Sequence, residues 1–275
     1  MVTYQEALQK ARTILKQRDI ADADVDAWYL LAHVCGISRA EYYLRINMPL
    51  PEDKYREYMN LIEKRATRIP LQYITGIQEF MGLEFMVTED VLIPRQDTEI
   101  LVEQVLKVCK DKTVLDMCTG SGCIIVSLAK LGKPAKVYGV DLSDKALKIA
   151  NINAHKHGTE IEFILSNLFE NVESEVDIIV SNPPYIPTGE IAGLMPEVKD
   201  HEPLLALNGA DDGLEFYRLI AEASKKHLKE KGLIFFEIGY NQGAEVKEIL
   251  AKEGFYNIEI IKDLSGLDRV VFGKR

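Results

Sequence analysis

Asn182-Pro183-Pro184-Tyr185 carries the clearest chemistry in this chain. It follows the apolar run Asp177 to Ser181 (D-I-I-V-S), which reads as a buried parallel strand. Each proline fixes φ and lacks an N–H, and the first pushes Asn182 out of the helical region. The chain therefore leaves the strand in a stiff, extended bend whose carbonyls have no obligatory ladder partner. Such a bend can offer the Asn182 side-chain oxygen and the Pro183 carbonyl as two fixed acceptors for a planar –NH2 group. The Tyr185 ring can wall the same pocket. That is a site for chemistry on an amino or amide nitrogen. Taken alone, the four residues also read as a Pro-Pro turn that merely stops a strand.

A second constellation lies upstream. Val114 to Gly122 (V-L-D-M-C-T-G-S-G) joins a strand to a helix, and Gly120 and Gly122 let the backbone turn sharply beside a ligand. Ligands on such sheets bind at the carboxyl ends of strands. Asp141 follows Gly122 by 19 residues at the end of the next strand (V-Y-G-V-D), a spacing that suits a carboxylate accepting from ribose hydroxyls. A dinucleotide fingerprint would need a small residue where Ile125 stands. D-x-x-x-G-x-G, from Asp116 to Gly122, fits instead, and resembles the motif of Rossmann-like methyltransferases that bind S-adenosylmethionine. That cofactor has no pyrophosphate for the helix N-terminus to hold.

The elements that must position these residues are legible from periodicity. From residue 113 strand and helix patterns alternate: strands at 113–117, 136–141, 160–165, 176–180, 232–238, 255–261 and 268–272, and helices at 122–131, 143–156, 213–230 and 243–253. This predicts an α/β, Rossmann-like, doubly wound sheet of seven strands, mostly parallel. The short loop before the last strand makes the final pair antiparallel. Residues 1–75 read as a small helical domain. Thr3, Asp22 or Asp24, and Ser38 serve as caps, Gly36 as a stop, and Pro51 opens a fourth helix. Residues 76–95 read as a β-hairpin linker around Gly82, and 96–275 as the sheet domain. Asp22, Asp24 and Asp26 are expected to be a helix cap plus solvated charge, and Lys64, Arg65 and Arg68 a solvated helix face. Residues 186–212 are expected to be a long functional loop.

Composition narrows the class. The chain has 275 residues with 47% hydrophobic and 28% charged, ordinary for a soluble globular protein. No apolar run reaches the length of a membrane helix, and the N-terminus lacks a signal-peptide pattern. Cys35, Cys109, Cys118 and Cys123 have no zinc-ligand spacing, so no metal is expected and the thiols read as reduced and cytoplasmic. The net charge of −10 falls wholly on residues 80–275. That argues against a grip on long nucleic acid.

Further stretches narrow the match: Pro70 to Gly76 (P-L-Q-Y-I-T-G), Val91 to Glu99 (V-L-I-P-R-Q-D-T-E), Ser181 to Ile186 and His201 to Leu207 (H-E-P-L-L-A-L). With N-P-P-Y they resemble the HemK-type family, the methyltransferases of the glutamine in class 1 peptide chain release factors, over essentially the whole chain. The resemblance implies S-adenosylmethionine as cofactor, with S-adenosylhomocysteine as product. It implies cofactor contacts from Cys118, Thr119, Gly120, Ser121, Gly122, Asp141, Asn167 and Leu168, with Asn182 adjoining. It implies Asn182, Pro183, Pro184 and Tyr185 as the glutamine site, with Asn182, Pro183 and Tyr185 acting in catalysis. The helical domain would dock a release factor presenting its Gly-Gly-Gln loop to a monomeric enzyme. Cys118 stands where the family often has Gly, and Asn167 where an Asp often faces the adenine amino group. Glu237 (F-F-E-I-G) ends a strand near this face and is expected as an exposed strand-end acid; Arg269 has no assigned role. The alternatives are a DNA or RNA amino-group methyltransferase, whose adenine N6 or guanine N2 also presents –NH2, and a non-catalytic cofactor-binding protein.

Overall fold

The computed structural model describes residues 2–275, which divide into two compact units, 2–76 with 195–201, and 77–194 with 202–275.

The first unit is helical: α1 (Tyr4–Lys16), α2 (Ala23–Cys35), α3 (Arg39–Arg45), α4 (Glu52–Ala66) and α5 (Leu71–Thr75), joined by the short helix Pro196–Lys199. Thr3 and Ser38 form capping boxes with Glu6 and Glu41, and Gly36 closes α2 in the left-handed region at φ 59°. Asp22 sits at the α2 cap without a side-chain bond. The apolar stripes of α1, α2 and α4 meet in one core around Leu15, Leu31, Tyr58 and Ile62. Two charge expectations are corrected here. Asp26 and Arg65 are not solvated: the pair is buried at 2.6 Å, and Arg65 also reaches Glu197 at 3.1 Å, which Arg68 shares at 3.2 Å. Both sit on faces that α2 and α4 turn toward each other, so helix packing buries them.

The second unit begins with the hairpin β1 (Ile77–Phe80) and β2 (Leu83–Met86), followed by α6 (Thr98–Leu106). The hairpin is no free connector. Phe80 and Phe85 enter the unit's core, and fully buried Asn153 pairs with both the N–H and the carbonyl of Met86. Then follow β3 (Thr113–Met117), α7 (Cys123–Gly132), β4 (Lys136–Asp141), α8 (Asp144–His157), β5 (Glu162–Leu165), β6 (Val176–Ser181), α9 (Glu215–Ser224), β7 (Leu228–Glu237), α10 (Gly243–Lys252), β8 (Tyr256–Lys262) and β9 (Asp268–Lys274). The sheet order is β5-β4-β3-β6-β7-β9-β8, and β9 alone runs antiparallel to its neighbours. β3 and β6, which carry the glycine loop and the N-P-P-Y corner, are adjacent and parallel, with Met117 level with Ser181. Both constellations therefore leave the same edge of the sheet.

Two spans differ from expectation. The helix expected over 213–230 stops at Ser224. Leu228 already pairs with Val176, and Lys231 in the left-handed region lets the strand bulge before Leu233 meets Ile178. Residues 186–212 are not one structureless loop but hold a 3-10 turn at Thr188–Gly193 and short helices at Pro196–Lys199 and Leu204–Leu207. Among the described residues no helix is long and apolar enough to cross a membrane.

Removing one partner of a buried ion pair leaves an uncompensated charge. Asp26→Ala should cost the helical unit about 3 kcal/mol, the low end of the usual range because Arg65 keeps Glu197. The check is urea unfolding followed by fluorescence of Trp28, the one tryptophan of the chain and a member of that unit's core. An unchanged midpoint would contradict it.

Candidate active site

The glycine loop is shaped by its own backbone. Cys118, Gly120 and Gly122 have φ of 63°, 54° and 78°. A non-glycine residue in this region costs about 1–2 kcal/mol, so the chain bears strain at Cys118, where the backbone suits a glycine. At Gly122 an added Cβ would lie 3.0 Å from Ala150 Cβ, so this glycine lets α8 press against the loop. Thr119 and Ser121 turn inward. Thr119 Oγ1 donates to Asp116 Oδ2 at 2.6 Å, and the Ser121 carbonyl accepts from Asn153 Nδ2 at 2.9 Å. Asn153 thus ties the loop to the hairpin, a role that no sequence motif announced.

Asp141 holds the loop from the neighbouring strand. Its Oδ2 accepts from the Gly120 N–H at 2.8 Å and its Oδ1 from the Ser143 N–H at 2.9 Å. A carboxylate has about four acceptor positions, so both oxygens retain capacity for a ligand. Burial raises the Asp141 carboxyl above the usual range, opposed by these N–H groups.

A cavity of about 200 Å³ opens over these strand ends. Cys118, Gly120, Asp141, Asn167, Leu168 and Asn182 line it, with Pro184 beside them. Three of the stretches singled out above converge here: Val91 and Leu92 from the first, Asn182 and Pro184 from the second, Pro203, Leu205 and Ala206 from the third. Thr119, Ser121, Gly122, Pro183 and Tyr185 do not line it. The first three are committed to loop shape. Pro183 is buried, and Tyr185 packs its ring against the core. Asn167 lines the wall while its Nδ2 donates to Glu170 at 2.8 Å. A wider groove of about 1070 Å³ lies at the opposite strand ends, where Lys136 pairs with Glu162 and Lys130 donates to the His157 carbonyl. Among the described residues no cluster of three or more His, Cys, Asp or Glu could hold a metal.

The N-P-P-Y corner is braced on every side. Asn182 Nδ2 donates to Thr98 Oγ1 at 3.4 Å, which leaves Oδ1 as the amide atom available to the cavity. Gln242 Nε2 donates to the Tyr185 carbonyl at 3.0 Å, while its Oε1 accepts from the Gly239 N–H at 2.9 Å. Gly209 and Gly213 lie so close that an added Cβ would come within 2.7 Å of Tyr185 Cα and 2.4 Å of its carbonyl oxygen. Arg95 and the Ile93 N–H share the buried Glu202 carboxylate, which locks the first stretch to the third. Glu237 is corrected from an exposed acid to one 1% exposed. β7 ends level with the corner and is covered by Thr98 and Arg269, so the strand end is buried.

Asp116 is wholly buried, with Oδ1 unpartnered. Burial pushes its carboxyl up to about 8, opposed by the Thr119 hydroxyl and reinforced by Asp141. A carboxyl raised on folding favours the folded state while protonated, and that advantage is lost as pH rises through about 8. Asp116→Asn should therefore flatten the fall in melting temperature between the ordinary carboxylate range and about 8. Equal slopes for the two proteins would contradict a protonated Asp116.

Comparison with known proteins shows the family and the fold. Residues 6–76 match the PrmC N-terminal domain, and residues 95–194 match the methyltransferase small domain. A release factor glutamine methyltransferase of Geobacter sulfurreducens is 40% identical over 274 residues, covering 99% of this chain and 96% of that protein. One of Clostridium acetobutylicum is 42% identical over 278 residues and covers 98% of each. Among solved structures, a methyltransferase from Pyrococcus furiosus shares the fold, with a TM-score of 0.55, 17% identity, and coverage of 71% of this chain and 90% of that one. With relatives matched along nearly its whole length, this chain belongs to the release factor glutamine methyltransferase family.

Proposed function

We propose that this protein transfers a methyl group from S-adenosylmethionine to the side-chain amide nitrogen of a class 1 release factor glutamine, the one in its Gly-Gly-Gln loop. The observation that carries the reading is the shared cavity of Gly120, Asp141 and Asn182, with the Asn182 Nδ2 turned away to Thr98. The donor set fits the cofactor. Asp141 keeps acceptor positions suited to ribose hydroxyls, Asn167 can accept from an adenine amino group, and Leu142, Leu168 and Phe216 supply apolar wall for a base. S-adenosylmethionine, when bound, supplies a methyl group on a positively charged sulfur.

The protein's part is orientation and charge. A primary amide nitrogen is a poor nucleophile, because its lone pair is delocalised into the carbonyl. Asn182 Oδ1 and the Pro183 carbonyl accept its two N–H groups, hold the nitrogen in line and favour a more pyramidal geometry. Orientation of this kind supplies several kcal/mol, about 7–11 in the best model systems. Acceptors aimed at the positive charge developing on nitrogen add about 3 kcal/mol by analogy with oxyanion-hole donors. The amide proton passes to water after transfer. Tyr185 positions the corner through its packed ring and its carbonyl bond to Gln242 rather than by lining the cavity. The first unit is assigned to docking of the release factor, and the acidic excess of residues 80–275 favours a protein substrate over a nucleic acid.

Labelled methyl transfer offered to purified release factor, DNA and ribosomal RNA tests the proposal. Label on a glutamine is expected; label on a base would replace it with the nucleic-acid reading, and no label with the binding-protein reading. Asn182→Ala should lower kcat by about 100- to 1000-fold while calorimetric affinity for S-adenosylmethionine stays within about twofold. Near-normal turnover would remove Asn182 from the reaction. Asp141→Ala should weaken that affinity by at least about tenfold, the worth of one charge-assisted hydrogen bond. Unchanged binding would place the cofactor elsewhere.

A further inference from the structure

Glu237 is buried, and no step above uses it. Register sets it beside the corner: Ser181 is level with Phe236, so Asn182 and Glu237 leave their parallel strands side by side. Thr98, in the first turn of α6 and 2% exposed, completes a triangle. Asn182 Nδ2 donates to Thr98 Oγ1, and the polar groups of Thr98 and Asn182 oppose the effect of burial on the neighbouring Glu237 carboxyl. Glu237 Oε2 has no partner of its own.

Donor counting gives this triangle two states. A hydroxyl has one hydrogen to give. If the Thr98 hydrogen turns to Glu237 when that group is a carboxylate, the Thr98 lone pairs accept from Asn182 only if the amide presents nitrogen. Asn182 Oδ1 is then left for the cavity. When Glu237 carries a proton, its O–H can donate to Thr98, whose own hydrogen turns toward Asn182. The amide is then satisfied with oxygen inward and nitrogen outward, a donor facing an incoming –NH2 group. Resting on the methyl-transfer reading above, we propose that Glu237, acting through Thr98, is a positioning residue that sets which end of the Asn182 amide faces the substrate nitrogen, with the Glu237 carboxylate as the active form.

The groups that face Glu237 are Arg269 on β9, Asp97 before α6, Tyr185 at the corner, Tyr217 on α9 and Cys123 at the start of α7. Arg269 is shared with Asp97 at 3.0 Å and Asp263 at 3.1 Å, so its charge is not devoted to Glu237. Burial pushes Glu237 up to about 7, against the Thr98 hydroxyl and the Arg269 charge. Burial also raises Tyr185 and Tyr217, and pushes Cys123 up to about 12, so none of these three changes charge near neutrality. The carboxylate form is lost as pH falls through about 7, so turnover should rise with pH across that range.

The test is the pH profile of kcat for release-factor methylation in the wild type, Glu237→Gln, Thr98→Val and Thr98→Ser. The wild type should show an acid limb. Glu237→Gln should lose the limb and fall about tenfold at its plateau, with KM and S-adenosylmethionine affinity unchanged. Thr98→Ser, which keeps the hydroxyl, should retain both limb and plateau, and Thr98→Val should lose them. An acid limb that survives in Glu237→Gln overturns the proposal. A readout without turnover separates this from failure of the assigned activity: the side-chain 15N–1H signals of Asn182 should shift with the Glu237 titration in the wild type and not in Glu237→Gln. Signals that ignore pH overturn the proposal even if the enzyme is active. Signals that track Glu237 in a protein that methylates no release factor uphold the amide switch and overturn only the substrate.

Discussion

The site rests on a strand end that cannot continue its ladder. Pro183 and Pro184 bring no N–H, so β6 cannot continue past Ser181 as a bonded strand, and Asn182 is left where a side chain rather than a backbone must be satisfied. What keeps that end in place is supplied from outside. Thr98 takes the Asn182 amide, Gln242 takes the Tyr185 carbonyl, and two glycines allow the 209–213 backbone to close against Tyr185. A rigid strand end, with Asn182 at the wall of a ligand cavity, follows from these four contacts. Amide nitrogen chemistry needs that rigidity, because the nucleophile contributes so little reactivity of its own.

Three of the stretches that mark the family are bound to one another. Glu99 accepts from the Met81 N–H, Thr98 from Asn182, and Arg95 meets Glu202. The segment leading into α6, with the first turn of that helix, thus reaches the hairpin, the N-P-P-Y corner and the segment before Leu204. Buried polar groups must be matched in donor and acceptor count, so a change in one stretch leaves an unsatisfied atom in another. Asp141 works in the same way: it shapes the glycine loop through backbone N–H groups while offering its remaining acceptors to the cavity.

Periodicity made the sheet legible, because alternation of apolar strand and amphipathic helix is a local property. The glycine loop, Asp141 and the proline corner were legible for the same reason: each is a short run whose backbone demands are written in residue type. What escaped was burial set by neighbours distant in sequence. Glu237 reads as a strand-end acid until α6 and β9 cover it. Asp26 and Arg65 read as solvated until α2 and α4 meet. Asn153 lies in an ordinary helical pattern, and only the fold brings it to Met86 and Ser121. The early start of β7 was hidden because Leu228 to Lys231 lack an alternating pattern and pair through a bulge. Thr119, Ser121 and Gly122 were legible as a loop, but not as the side of it that faces inward.

The most direct measurement is a crystal structure of the protein with S-adenosylhomocysteine and a release factor whose Gly-Gly-Gln loop is intact. The account predicts the glutamine side-chain nitrogen within hydrogen-bond distance of both Asn182 Oδ1 and the Pro183 carbonyl, with the ribose hydroxyls on Asp141. A glutamine bound away from that corner, or an Asn182 amide turned with its nitrogen toward it, would contradict the account.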